Sequence, residues 1–156
     1  MSAVEHLLKE FGARIGLPQM ELNADRVCRV SFDEHMVVDL EAPEGDELLN
    51  VIGTVGTLPA DASAELLTEL LEGNIPTSDP HVPWTAIDMD SREILLCISL
   101  SPIPQVDDFE TIFNRFLDHL DEWQGKIASA AHHTTAGTMS TGGAFPIDPR
   151  FGGVRV

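Results

Sequence analysis

The chain has 156 residues, of which 26 are acidic and 9 are basic, giving a net charge of −17 with histidine neutral. This length suits one domain with a hydrophobic core of its own. Such a negative charge repels phosphate backbones and anionic lipid, which argues against nucleic-acid binding and membrane-surface binding.

The first part of the chain predicts one helix followed by three strands. Ser2 and Glu5 have the spacing of a capping box, and apolar residues then recur every three or four positions. Alternating apolar and polar residues predict strands at 26–32 and 36–41, joined as a hairpin. A third strand is predicted at 48–58.

A second helix and a second hairpin are predicted next. The helix covers 61–74, with Asp61 as its expected cap and a stripe of leucines on one side. Strands at 84–88 and 93–100 form the hairpin. The second of these strands is apolar on both faces, which predicts a central strand covered on both sides.

A third helix is predicted at 107–127, with Asp107 and Glu110 in capping-box relation at its start. Its apolar residues repeat over about five turns. Several acids fall between the apolar positions, so we interpret them as a solvated flank rather than a catalytic pair; they are Asp118, Asp121 and Glu122.

Residues 129–156 differ in composition from the rest of the chain and are rich in Gly, Ser and Thr. This composition predicts a flexible C-terminal tail after a domain at 1–128. The tail holds two bases and one acid, or +1, against seven bases and 25 acids, or −18, for residues 1–128. A weakly cationic tail could therefore lie on its own acidic domain or on a neighbour.

The sequence carries no recognisable catalytic motif, and we predict no catalytic residues, metal or cofactor. The acidic pair in "DMD" (88–90) lies between two strands and is interpreted as a hairpin turn rather than a metal site. His132 and His133 are adjacent in the tail and are interpreted as a solvated pair.

Targeting signals are also missing from the pattern. The N-terminus lacks the basic and apolar regions of a signal peptide, and no apolar run reaches the length of a membrane span. We therefore expect a cytosolic protein. Cys28 and Cys97 lie in apolar, strand-like runs and are expected to be buried, reduced thiols.

The order α-β-β-β-α-β-β-α within the first 128 residues resembles the class I type III secretion chaperones, the Tir-chaperone-like (CesT-like) family. The resemblance lies in the leucine-rich second helix, the hairpin at 84–100, the break at Pro102 and Pro104, and the final helix. It implies an α+β fold in which a twisted antiparallel five-stranded sheet packs with three helices. It also implies a homodimer.

The resemblance implies a function in binding. Such a chaperone uses no ATP and no cofactor, binds the N-terminal region of a secreted effector in extended form, and keeps it secretion-competent in the bacterial cytoplasm. Strand 26–32 is predicted to be an edge strand that accepts an added strand. The residues predicted to contact the effector are Val4, Leu8, Phe11, Ile15, Leu17, Met20, Val27, Arg29 and Met36.

The second helix and its neighbouring strands are expected to form the dimer interface, through Leu66, Leu67, Leu70, Leu71, Trp84 and Ile87. The acidic exterior would keep molecules with exposed apolar grooves apart and would favour a basic or neutral client. Three alternatives remain open. The apolar stripe of the first helix could be core, the chain could be a small cytosolic enzyme or ligand-binding domain, or it could be an adaptor that binds its own tail or another cytosolic protein.

Overall fold

The computed structural model describes residues 1–45 and 47–135, with side chains through Ala131. Within these ranges three helices and five strands follow in the predicted order, which confirms the α+β class. The elements are α1 (Ala3–Arg14), β1 (Val27–Phe32), β2 (Met36–Glu41), β3 (Leu49–Thr57), α2 (Ala64–Glu72), β4 (Trp84–Asp88), β5 (Glu93–Leu100) and α3 (Val106–Thr135).

Helix α1 begins with the predicted capping box. Ser2 Oγ accepts a hydrogen bond from the Glu5 amide at 3.2 Å, and the Glu5 carboxylate accepts one from the Ser2 amide at 2.7 Å. Two orphan donors of the first turn are satisfied in this way. The helix ends just before Gly16, whose φ of 78° turns the chain back.

Helix α2 begins later than predicted, and Asp61 is not its cap. Asp61 lies in a turn closed by a hydrogen bond from the Ala62 amide to the Pro59 carbonyl at 3.2 Å. Ser63 caps the helix instead, because its Oγ accepts from the Leu66 amide at 3.1 Å.

Helix α3 starts one residue earlier than predicted, and Asp107 lies inside its first turn. The Phe109 amide donates to the Gln105 carbonyl at 2.8 Å, which places the start of the helical hydrogen bonds at that residue. The Asp107 carboxylate instead accepts a hydrogen bond from the Arg14 guanidinium. This contact joins the start of α3 to the last turn of α1.

The five strands form one antiparallel sheet in the order β1-β2-β3-β5-β4. β1 and β4 are therefore the edge strands, which confirms the prediction for β1. β5 lies between β3 and β4, so its backbone is paired on both sides.

The helices pack on one face of this sheet. The rings of Phe32 in β1 and Phe113 in α3 have centroids 5.7 Å apart. A Cβ atom built at Gly53 in β3 would lie 2.7 Å from Leu120 Cδ2 of α3, so the helix approaches the strand backbone closely. The hydrophobic core fills the space between the helices and this face.

The opposite face of the sheet has a mixed row of side chains that crosses all five strands. Strand register aligns Arg29, Asp39, Ile52, Cys97 and Trp84 in this row. Each of these side chains is half-buried or exposed.

The expectation that β5 is covered on both faces is therefore wrong. Its residues alternate between buried and half-exposed, because the helices cover one face only. The buried ones are Ile94, Leu96, Ile98 and Leu100, and the half-exposed apolar ones are Leu95 and Cys97.

Helix α3 extends beyond the predicted end at residue 127 and includes 129–135, the first seven residues of the predicted tail. Ile127 is buried and Ala130 packs against the core, so tertiary contacts support these last turns. Residues 136–156 lie outside the described residues. The domain boundary at 128 and the tail that follows it stay predictions.

Candidate functional site

The outer edge of β1 has unpaired backbone groups. The Ala42 amide donates to the Arg26 carbonyl at 3.0 Å, which fixes the alternation of the β1–β2 ladder. Cys28 and Val30 therefore bond to β2, while Arg29 and Ser31 direct their amides and carbonyls away from the sheet. No hydrogen bond to these outward groups is present in the part of the chain that the structure describes.

The start of this edge is closed by a local contact. The Asn23 amide donates to the Val27 carbonyl at 3.0 Å, and Asn23 Oδ1 accepts from the Val27 amide at 2.9 Å. The open stretch thus begins after Val27. An extended segment added here would meet the backbone of Arg29 and Ser31 first.

A small apolar cavity of about 80 Å³ lies beside this open stretch. The segment that follows α1 forms one wall through Leu17 and Met20, and β1 forms the other through Cys28 and Val30. An added strand would find a place for one apolar side chain next to its backbone partners.

The charge of Arg29 is neutralised within the sheet. Its guanidinium donates to both carboxylate oxygens of Asp39, each at 2.7 Å. This bidentate pair raises the pKa of Arg29 above its ordinary value. The guanidinium is therefore held over the open face of the sheet and does not present an unpaired charge at the edge.

Five of the nine residues predicted to contact an effector are buried in the core: Val4, Leu8, Phe11, Leu17 and Met20. Phe11 explains why, because its ring meets Phe109 and Phe113 with centroids 4.9 Å and 5.2 Å away. The stripe of α1 is thus used for packing against α3. Among the remaining four, Ile15, Val27 and Met36 are half-buried and Arg29 is exposed.

A second exposed region lies at the other edge of the sheet, beside β4, and we call it the α2–β4 surface. It consists of Leu67, Leu71, Ile75 and Trp84, whose exposed fractions are 38%, 71%, 66% and 39%. Large apolar side chains of this kind rarely stay on a monomer surface as a group.

The residues predicted to form a dimer interface divide between this surface and the core. Leu66 and Leu70 are 7% and 3% exposed, so they pack inside their own chain. Leu67, Leu71 and Trp84 belong to the α2–β4 surface, and Ile87 is half-buried. In each leucine pair of α2, the first leucine therefore packs in the core and the second is exposed on the outer side of the helix.

Asn74 positions α2 against β4, whereas the sequence predicted only that Gly73 and Asn74 end the helix. Its Oδ1 accepts from the Thr85 amide at 2.7 Å, and its Nδ2 donates to the Thr85 carbonyl at 2.9 Å. Thr85 Oγ1 also donates to the Leu70 carbonyl at 2.6 Å. These bonds bring Ile75 and Trp84 to a shared cleft of about 350 Å³.

Residues considered for metal binding or catalysis make structural contacts. The Asp88 carboxylate accepts from the Asp90 amide at 2.9 Å, and this bond lowers the pKa of Asp88. The turn predicted for "DMD" is thereby confirmed. The described ranges contain no group of three or more His, Cys, Asp or Glu that could hold a metal ion. The side chains of His132 and His133 lie outside the described residues.

The acids between the apolar positions of α3 lie on its solvent side, as predicted. Asp118 and Asp121 are exposed, and the Glu122 carboxylate lies 3.4 Å from Lys126 Nζ. Both thiols are unpaired, with Cys28 buried and Cys97 half-buried. Burial raises the pKa of each, so neither is an activated thiolate.

A family model, the Tir chaperone protein (CesT) family, matches residues 6–124. The chain belongs to this family. The Tir chaperone of Escherichia coli O157:H7 is 28% identical over 97 residues, and that of Citrobacter freundii is 26% identical over 97 residues. The matched part spans 62% of this chain and 61% of each of these relatives.

Solved structures share the CesT-family fold. The Yersinia pestis type III secretion chaperone SycH, in complex with a stable fragment of YscM2, aligns over 76% of this chain and 98% of that chain, with a TM-score of 0.62 and 24% identity. The ExsC–ExsE complex aligns over 80% and 95%, with a TM-score of 0.68 and 24% identity. The HopA1–SchA chaperone–effector complex aligns over 78% and 93%, with a TM-score of 0.64 and 17% identity.

The resemblance drawn from the sequence is therefore confirmed for both family and fold. None of the helices in the described part of this CesT-family chain combines the length and apolar character needed to span a membrane.

Proposed function

We propose that this CesT-family chain is an ATP-independent chaperone of a bacterial type III secretion system, acting in the cytoplasm. It binds the N-terminal region of an effector in extended form and keeps it soluble and secretion-competent until export. The matched relatives are named as chaperones. That description favours binding over the alternative of a small enzyme or ligand-binding domain.

The observation that carries the proposal is the open edge of β1. Arg29 and Ser31 offer backbone donors and acceptors to an added strand, and the cavity beside them offers apolar contact. Backbone pairing depends little on the client's side chains, so one edge can serve an unfolded segment of varied sequence.

The net charge of the chain restricts the charge that a client segment can carry. The chain carries −17, and the exposed cation at the edge, Arg29, is already paired with Asp39. An acidic segment would meet net repulsion, whereas a basic or neutral one would be attracted at low ionic strength. We therefore propose a client segment of neutral or positive charge.

The chain is proposed to act as a homodimer through the α2–β4 surface. Leu67, Leu71 and Trp84 are exposed in the single chain and would become buried against a second copy. Leu66 and Leu70 would support this interface from inside by fixing the helix.

The test is co-expression with N-terminal segments encoded by neighbouring open reading frames. We expect one segment to become soluble and to co-purify with the chain. Ser31→Pro removes an outward amide at an edge position, where proline is tolerated. It should weaken client affinity up to roughly tenfold. This is the fold-change expected from losing about one backbone hydrogen bond and from the altered backbone geometry at the edge.

Ser31→Thr is the matched control, because it keeps the amide and suits a strand. It should bind the client like the parent chain. Equal binding by the proline and threonine variants would place the client elsewhere, and the absence of any co-purifying segment would count against the chaperone role itself.

A further inference from the structure

We infer that Met20 limits the size of the client side chain that the cavity beside β1 accepts. The cavity then favours a client with a short aliphatic residue, such as valine, at this point of the added strand and rejects an aromatic one. The inference rests on the proposed function, because it concerns the strand that the open edge of β1 receives.

The cavity lies directly beside the open backbone groups of β1. Arg29 and Ser31, whose amides and carbonyls point away from the sheet, both line it. Cys28 and Val30 bond to β2 instead, so each would face an added antiparallel strand in a non-hydrogen-bonded pair, where opposed side chains lie close together. Both are buried on the helix side of the sheet. A client side chain opposite either of them therefore lies next to the cavity.

The volume of the cavity sets the class of side chain that fits. It measures about 80 Å³. An apolar cavity of about 150 Å³ takes a benzene ring, so a phenyl ring needs roughly twice the space that is present. Valine has less than half the side-chain carbon atoms of phenylalanine and fits the smaller volume.

Met20 separates this cavity from a larger one. The larger cavity, of about 450 Å³, lies between α1 and the segment that follows it, and Met20 lines both. Its side chain is 4% exposed, so it is packed against its neighbours. Removal of its outer atoms would join the two spaces, and the joined space would hold an aromatic ring.

The backbone that carries Met20 is held in place against α1. The Leu17 amide donates to the Gly12 carbonyl at 2.8 Å, and the Met20 amide donates to the Leu17 carbonyl at 3.2 Å. A Cβ atom built at Gly12 would lie 3.1 Å from Met20 Cβ and 3.2 Å from Met20 Cγ, so α1 lies tightly against the base of this side chain. The segment cannot retreat toward α1, and the cavity widens through movement of the outer atoms of Met20.

Movement of those outer atoms into the larger cavity is unfavourable. Three charged side chains line that cavity, those of Glu5, Lys9 and Glu21. The thioether would leave apolar contacts for polar surroundings, which costs free energy in proportion to the apolar area exposed. Because methionine adjusts to small changes in its surroundings, the limit falls between aliphatic and aromatic side chains rather than at one volume.

Peptides with a single guest residue test the size limit. The probe is Lys-Thr-Ala-Thr-X-Thr-Ala-Thr-Lys, which suits a strand, carries positive charge, and has X as its largest apolar side chain. A fluorescent label on the peptide reports its affinity by anisotropy. We expect the parent chain to bind the peptide with valine as X at least about tenfold more tightly than the peptide with phenylalanine, as apolar pockets discriminate by size.

Variants of Met20 should change this preference according to their size. Met20→Ala should bind the phenylalanine peptide at least about tenfold more tightly than the parent chain does, because the two spaces are then joined. Met20→Leu should keep the preference, since it conserves the volume of the side chain. Met20→Val removes less of the core and gives the same comparison if the alanine variant does not fold.

Leu58→Ala is the matched control for the alanine variant. Leu58 is 8% exposed, is similar in size to methionine, and follows β3 without lining the cavity. Its truncation should lower stability, but the ratio of the two peptide affinities should stay that of the parent chain. The ratio therefore separates a size limit from a general loosening of the core.

Benzene binding measures the same space without a client. Titration followed by NMR should show that benzene binds Met20→Ala at least about tenfold more tightly than the parent chain. An unchanged ratio of peptide affinities in Met20→Ala would overturn the inference and leave the proposed chaperone role intact. If no peptide bound the parent chain, the open edge would fail as a client site, and equal benzene affinities for parent and variant would then overturn the inference as well.

Discussion

The side-chain amide of Asn74 replaces a missing strand partner for Thr85, accepting from its amide at 2.7 Å and donating to its carbonyl at 2.9 Å. β4 is an edge strand, and this contact ties it to the end of α2. The position of Trp84, and hence the form of the α2–β4 surface, depends on the same contact.

Replacement of Asn74 by alanine should lower the free energy of unfolding by about 1–3 kcal/mol, because it removes partners from two backbone groups of Thr85. Asn74→Asp keeps an acceptor for the Thr85 amide and should cost less. Urea denaturation followed by circular dichroism measures both. A loss for alanine no larger than that for aspartate would show that the bonds contribute little.

Gly53→Ala should destabilise the fold by about 1–3 kcal/mol. A Cβ atom there would lie 2.7 Å from Leu120 Cδ2 and 3.2 Å from Phe116 Cζ. Leu120→Ala in the same chain should recover part of the loss, since it makes room for the added methyl group. A thermodynamic cycle from urea denaturation would give the coupling between the two sites.

Gly125→Ala is the matched control for this substitution, since a Cβ built at Gly125 in α3 would meet no described atom within 4 Å beyond its chain neighbours and the helix's own backbone. Alanine should stabilise the helix there by about 0.5–1 kcal/mol. If both glycine variants changed stability in the same direction, close packing would not be the reason for Gly53.

Asp79 should contribute to the acid sensitivity of the fold. Its carboxylate accepts from Arg115 at 2.8 Å, and this bond lowers the pKa of Asp79 below its ordinary value of 3.8. A lowered folded-state pKa stabilises the fold above the unfolded-state pKa, and this contribution is lost as the pH falls through the folded-state pKa. The advantage of the parent chain over Asp79→Asn should therefore be present at neutral pH and shrink below pH 3.8.

Urea midpoints measured across that pH range provide the test. Asp118→Asn serves as control, because Asp118 is exposed and has no ion pair in the described ranges. A pH-independent difference between the parent chain and Asp79→Asn would contradict the role given to the ion pair.

Leu71→Glu should weaken self-association by about tenfold or more, because it places a charge in the centre of the proposed interface. Met89→Glu is a matched control, since Met89 is 64% exposed, like Leu71 at 71%, but lies in the β4–β5 turn. Sedimentation equilibrium would separate the two variants. Equal weakening by both would indicate general repulsion rather than a local interface.

Local sequence patterns were enough to predict the order of helices and strands and the capping box at Ser2. The edge position of β1 was predicted alongside the family resemblance. The prediction that Asp61 and Asp107 cap helices was wrong. Each acid lies near the start of a helix, but neither caps it. Asp61 lies in the turn before α2, and Asp107 pairs with Arg14, which is 93 residues away in the chain. No local pattern distinguishes these uses.

The sequence alone determined the order of the elements and the acidic character, because helical and strand periods and charge are properties of neighbouring residues. The family was indicated by the resemblance of that order of elements to a known family. Only the tertiary structure decided that the side chain of Phe11 is buried in the core and that of Leu71 is exposed on the surface. Both lie in amphipathic helices of similar pattern, but α1 meets the phenylalanines of α3, whereas among the described residues no element covers the outer side of α2. Burial depends on which elements meet in space, and that is set by contacts between distant parts of the chain.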